Sequence, residues 1–179
     1  MRKLLNSELG RKTIAEYKDS DKFPFIIVLD NVRSQNNIGS IFRTADAFLV
    51  EAMYLCGITA QPPHRDIQKT ALGATESVPW KYFPATSDAI KELKSAGVSL
   101  IAVEQAEGAI MLQDLIIEPY KKYAFVFGHE INGVSQDIVD LCDLCVEIPQ
   151  FGSKHSFNIA VSAGIVLWEA SIKKMNIQK

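Results

Sequence analysis

The sequence predicts an α/β protein: an open, mostly parallel sheet with helices on both faces. Two observations carry that reading. Short apolar runs at 25–29, 52–56, 98–103, 123–127 and 145–148 lack the polar alternation of a half-exposed strand, so each reads as buried on both faces, as in a parallel sheet. Between them lie segments of helical period with capping and stop residues. The 179 residues show no repeat, low-complexity tract or linker, which fits one domain.

Taken in order, residues 4–18 form an amphipathic helical pattern that Asp19, Ser20, Asp21 and Pro24 close. Strand 25–29 leads into a helix with Asn37 as its N-cap. Ile38, Ile41, Phe42 and Ala45 stand at i, i+3, i+4 and i+7 and make its apolar face, and Arg43 and Ser40 lie off that face. On spacing alone, Arg43 is a solvated arginine. After strand 52–56, residues 86–96 begin with capping residues and stop at Gly97. Ser135 can cap 136–141. The last helix, 158–174, carries Ile159, Ala163, Val166, Leu167 and Ala170 on one face, with Ser156 or Asn158 as its cap.

Composition narrows the function classes. A net charge of −2 excludes a strongly basic protein, so a nucleic acid would be held by local patches. Candidates are Arg2, Lys3, Arg11 and Lys12, then Arg65 and Lys69, then Lys173 and Lys174; each also reads as a solvated helix face. The three cysteines argue for a reducing compartment. Cys142 and Cys145 form a lone C-x-x-C with no second ligand pair for zinc, placed before a strand rather than at a helix start, so they read as core or near-core thiols. The N-terminus has no sustained apolar region and no run reaches a membrane span, so a cytoplasmic protein is expected. Rossmann and P-loop glycine signatures are absent.

In open α/β sheets ligands collect at the carboxyl ends of the strands, which singles out the loops at 30–37, 128–135 and 149–158. The first runs into N-I-G-S-I-F-R-T-A at 37–45, the second contains F-G-H-E-I-N-G at 127–133, and the third joins Ile148 and Pro149 to Ser156, Phe157 and Asn158. Taken together these segments resemble the three motifs of the SpoU/TrmH family of RNA 2′-O-ribose methyltransferases, within the SPOUT superfamily. The resemblance spans roughly residues 25–170.

The resemblance implies a C-terminal trefoil knot, a short helical extension at 1–24 ahead of the SPOUT domain at 25–179, and a homodimer. It implies S-adenosylmethionine as cofactor, held by Gly128, Ile148 and Phe157, with Glu104 and Gln105 as a further wall. Arg43 takes the central catalytic role, and Asn37, Glu130, Ser156 and Asn158 position it, the ribose and the cofactor loop. An arginine is essentially always protonated, so orienting and polarising the hydroxyl is chemically easier for Arg43 than removing its proton; both roles stay open. No metal is required, and His64, His129 and His155 show no ligand spacing. His129 and His155 flank the expected cleft, where a contact with RNA is open to them; the plainer reading of each is a surface histidine. Phe157 stands where the family more often has leucine, and Gln150 and Phe151 where a methionine-led turn is common. The short extension leans toward transfer RNA over ribosomal RNA as substrate. The rival reading is a non-catalytic RNA-binding or ribosome-assembly module on the same fold.

Overall fold

The computed structural model describes residues 1–177. Its strands are β1 (Phe23–Asp30), β2 (Val50–Cys56), β3 (Trp80–Phe83), β4 (Ser99–Val103), β5 (Ile110–Met111), β6 (Tyr123–Phe127) and β7 (Leu144–Glu147). Its helices are α1 (Ile14–Asp19), α2 (Gln35–Ala47), α3 (Arg65–Ala71), α4 (Ala74–Ser77), α5 (Thr86–Ser95), α6 (Gln136–Val139) and α7 (Ile159–Ile177). The strands form one sheet in the order β3-β2-β1-β6-β4-β7-β5, with every pairing parallel.

The unbroken apolar runs now have their physical cause. Alternate residues of β1 serve two different cores. Phe25, Ile27 and Leu29 pack with Phe125 and Phe127 under α2 and α7, and Ile26 and Val28 pack with Leu100, Ala124 and Val126 under α5 and α6. Because the strands are parallel, β1, β4, β6 and β7 all end on one edge, and the loops expected to carry chemistry converge there.

Several local expectations are corrected. The pattern at 4–18 yields only α1 and a short 3₁₀ turn at Asn6–Glu8, because Gly10 takes a left-handed conformation and Leu4, Leu5, Leu9 and Ile14 stay exposed. Tyr17 is the buried anchor of α1, and its hydroxyl donates to the Val50 carbonyl at 3.0 Å. Ser34, not Asn37, caps α2, accepting from the Asn37 N–H. Thr86 and Ser135 do not cap with their side chains; both hydroxyls donate instead to the buried carboxyl of Asp30, at 2.5 and 3.3 Å. That one group therefore ties the end of β1 to the starts of α5 and α6. Asn158 caps α7 by accepting from the Ala160 N–H at 2.9 Å, and Ser156 remains exposed in the loop.

The basic patches also change. Lys173 donates to the carbonyls of Leu112, Gln113 and Leu115, and Lys174 is buried and donates to the Pro119 carbonyl, so both serve the fold. Arg2 is paired with Glu8 at 2.6 Å. All three cysteines are free. Burial pushes the Cys56 and Cys142 thiols up to about 12 and raises that of Cys145, which fits core thiols.

Gly39 is explained by packing. A Cβ there would overlap the Ile67 carbonyl and the Thr70 hydroxyl, so α2 and α3 approach backbone to side chain. Gly39→Ala is expected to lower stability by about 1–3 kcal/mol through overpacking, seen as an earlier midpoint in urea denaturation.

Candidate functional site

A cavity of about 570 Å³ opens at the carboxyl edge of the sheet, within the size range of ligand sites. Its walls come from the loops after β4, β6 and β7. Glu104, Gln105, Gly128, Glu130, Ile148, Ser156, Phe157 and Asn158, all singled out in the sequence, line it together. Ile131, Asn132, Glu147 and Ser162 line it as well and carried no sequence signal of their own, and so does Gln150, which stands where a methionine-led turn is common. His129 and His155 also line it, as their place beside the motifs suggested.

The loop after β6 is built by backbone. His129 and Gly133 exchange N–H to carbonyl hydrogen bonds at 2.9 and 2.8 Å, and the His129 Nδ1 accepts from the Ile131 N–H at 3.0 Å. A Cβ on Gly128 would overlap the Gly133 carbonyl, and Gly133 sits at φ +67° with Glu104 against it. Only glycine lets this turn close on itself. Glu104 fixes the turn to β4 by accepting from the Val134 N–H at 2.9 Å, and Gln105 donates to the His155 carbonyl at 3.0 Å, holding the third loop.

One chain of side-chain hydrogen bonds joins the three motifs. Glu130 Oε1 accepts from the Ser34 N–H at 2.8 Å and from Asn37 Nδ2 at 3.3 Å, and its Oε2 accepts from the Arg33 N–H at 3.0 Å. Asn158 Nδ2 in turn donates to Asn37 Oδ1 at 3.1 Å. Burial would raise the Glu130 pKa, but the donors from Arg33, Ser34 and Asn37 outweigh it and hold the carboxyl below its ordinary range. Glu130 is thus an ionised brace, not a proton donor. A depressed pKa contributes stability above the unfolded value of about 4.3 and loses it as pH falls through the folded value. The melting-temperature difference between wild type and Glu130→Gln is therefore expected to be full at neutral pH and to shrink in acid, as differential scanning fluorimetry across pH would show.

Arg43 is not brought into this cavity, and Asn37 does not line it but braces its rim. Arg43 lies on the exposed side of α2, six residues beyond Asn37, or about 9 Å along the axis. Its neighbour Thr44 faces Gly164 of α7.

The cavity's chemistry suits a cationic ligand with an apolar, planar part. Among the described residues, Glu104, Glu130 and Glu147 line it and no lysine or arginine does, while Ile148 and Phe157 offer apolar wall. S-adenosylmethionine, with a sulfonium and an adenine, fits that set. Among the described residues no group of three or more histidine, cysteine or acidic side chains is placed to hold a metal, and no helix is long and apolar enough to cross a membrane.

Fold and site together define a parallel α/β protein with a strand-end ligand cavity knitted from three distant loops. The chain belongs to the SpoU rRNA Methylase family, whose pattern it matches over residues 24–168. It is 31% identical over 146 residues to the 23S rRNA (guanosine-2′-O-)-methyltransferase RlmB of Neisseria meningitidis, a match covering 82% of this chain. The chain spans only 57% of that relative's length. The AdoMet-bound rRNA methyltransferase from Sinorhizobium meliloti superposes with a TM-score of 0.78 at 28% identity, over 86% of this chain and 59% of that one. The A. aeolicus TrmH/SpoU tRNA modifying enzyme shares the fold, with a TM-score of 0.81 at 24% identity over 92% of this chain and 82% of its own.

Proposed function

We propose that this chain transfers a methyl group from S-adenosylmethionine to a ribose 2′-hydroxyl of RNA. The observation that carries the reading is the hydrogen-bonded chain Glu130–Asn37–Asn158 at the rim of an acidic cavity that, among the described residues, no lysine or arginine lines. S-adenosylmethionine supplies an activated methyl when bound. Gly128, Ile148, Phe157, Glu104 and Gln105 hold it, and Glu130, Asn37, Ser156 and Asn158 position the loops and the ribose. Arg43 anchors an RNA phosphate and polarises the hydroxyl, a task suited to its guanidinium fork.

The leaning toward transfer RNA is not carried forward. The RlmB relative and the S. meliloti neighbour are both named for ribosomal RNA, and ribosomal RNA is the substrate proposed here. The three free thiols support the reading of a protein that works in the reducing cytoplasm.

We infer a homodimer from α7, which carries an exposed apolar stripe in addition to the apolar face it turns to the core. Val161, Trp168 and Met175 stand exposed along one stripe with Gly164, Ile165 and Ile172 between them. A second apolar stripe outside the core-facing one marks a helix face that packs against a partner. Because Arg43 lies beside the α2–α7 contact, outside its own chain's cavity, we assign it to a site completed by a second copy. The trefoil threading after β7 belongs to the same proposal, supported by Gln105 and Asn37 gripping the loop into α7 from two sides.

Titration calorimetry with S-adenosylmethionine, followed by mass-spectrometric mapping of methylated nucleotides in total RNA from a deletion strain, tests the reading. Cofactor binding and loss of one ribose methylation are expected. A chain that binds RNA but no S-adenosylmethionine would instead be a non-catalytic module.

A further inference from the structure

A second cavity, of about 560 Å³, lies on the other side of Glu130. It shares His129, Glu130 and Ile131 with the first and adds Arg33, Ser34, Gln35 and Ile58. The two cavities differ in chemistry: among the described residues no lysine or arginine lines the first, and Arg33 lines the second.

Two of its walls are exposed apolar side chains from separate loops. Ile58 is 63% exposed and Ile131 is 77% exposed. Their backbones are held in place. The Ile58 N–H donates to Asn31 Oδ1 at 3.1 Å, and Asn31 itself is in the left-handed region. The next residue, Thr59, is buried; its hydroxyl donates to the Leu29 carbonyl at 3.1 Å and accepts from the Val32 N–H at 3.0 Å. The Ile131 N–H is bonded to His129. The loop after β2 is therefore stitched to the loop after β1, and the cavity between them is preformed.

We propose that this second cavity receives the base of the nucleotide whose ribose is methylated. The proposal rests on the first cavity holding the methyl donor. A base has two apolar faces and a hydrogen-bonding edge. Ile58 and Ile131 offer apolar surface, Gln35 offers an amide that donates and accepts, and Arg33 offers a planar guanidinium for an edge or a phosphate. RNA recognition commonly splays a base out of its stack into such a pocket. With the base here, its ribose falls near Glu130, the residue common to both cavities, which sets the 2′-hydroxyl between base pocket and methyl donor.

The test uses the full chain in two arms. In the first, isoleucine-methyl NMR follows titration with each of the four nucleoside 5′-monophosphates. At least one should shift the Ile58 and Ile131 methyls and leave Ile148, which lines only the first cavity, in place. In the second, Ile58→Asp should lower kcat/KM for the mapped RNA by about tenfold or more, the loss of one buried aliphatic contact, with S-adenosylmethionine affinity unchanged by calorimetry. Methyls unmoved by all four nucleotides would overturn the proposal. So would Ile58→Asp with wild-type kinetics, or with cofactor affinity lost in step with activity. Methyl shifts in a wild-type chain that neither binds S-adenosylmethionine nor methylates RNA would overturn the proposed function and leave a nucleotide pocket standing.

Discussion

Arg43→Ala is expected to lower methyl transfer to RNA by about 100- to 1,000-fold, the usual cost of removing a donor aimed at charge that develops in the transition state. S-adenosylmethionine affinity should not change, because Arg43 does not line the cavity. Tritiated-methyl incorporation and calorimetry read the two effects separately. Loss of cofactor binding in parallel with activity would show that Arg43 supports the fold instead. The placement of Arg43 outside its own cavity adds a sharper test. If a second copy completes the site, Arg43→Ala mixed with a variant dead in cofactor binding should recover activity through hybrid dimers. Random mixing gives about a quarter of wild-type sites. No recovery would place Arg43 in the service of its own chain.

Gly128→Ala is the natural second variant and has the next largest expected effect. The added methyl meets the backbone of Gly133 and Val134, which cannot rotate away as a side chain would. Relief must come from opening the turn, at about 1–3 kcal/mol. That movement displaces Glu130 and the cavity wall together, so cofactor affinity should fall by about ten- to a hundredfold, that cost expressed as affinity. Circular dichroism should show the variant folded. Wild-type affinity in calorimetry would refute the assignment of this turn to the cofactor.

The parts of the fold visible in the sequence are those buried on both sides. β1, β4 and β6 were legible because alternate residues feed two cores, leaving no polar position to break the run. β3 and β5 were not, because they are short edge strands; β3 carries the exposed Lys81, and β5 has two residues. The caps were misread for a tertiary reason. Thr86 and Ser135 have the chemistry of helix caps, but Asp30 lies within reach and takes both hydroxyls. In the site, the glycine-bearing loops that the sequence shows line the cavity. The bonds joining Asn37 to Glu130 and to Asn158 span 93 and 121 residues, and no local pattern reports a contact at that distance. The second cavity escaped for the same reason, since Ile58 is an ordinary loop residue until folding sets it opposite Ile131.

The sheet ends in β3 on one side and β5 on the other, and both borders are poor templates for another strand. Lys81 on β3 is paired with Glu92 of α5, and Lys173 of α7 caps the carbonyls just beyond β5. Short, charged or covered borders discourage strand-to-strand joining between molecules. Self-association of this chain is thereby steered away from ribbon-like growth, which has no natural end, and toward the closed pair proposed through α7. At high concentration the protein should stop at a fixed stoichiometry rather than lengthen into fibres.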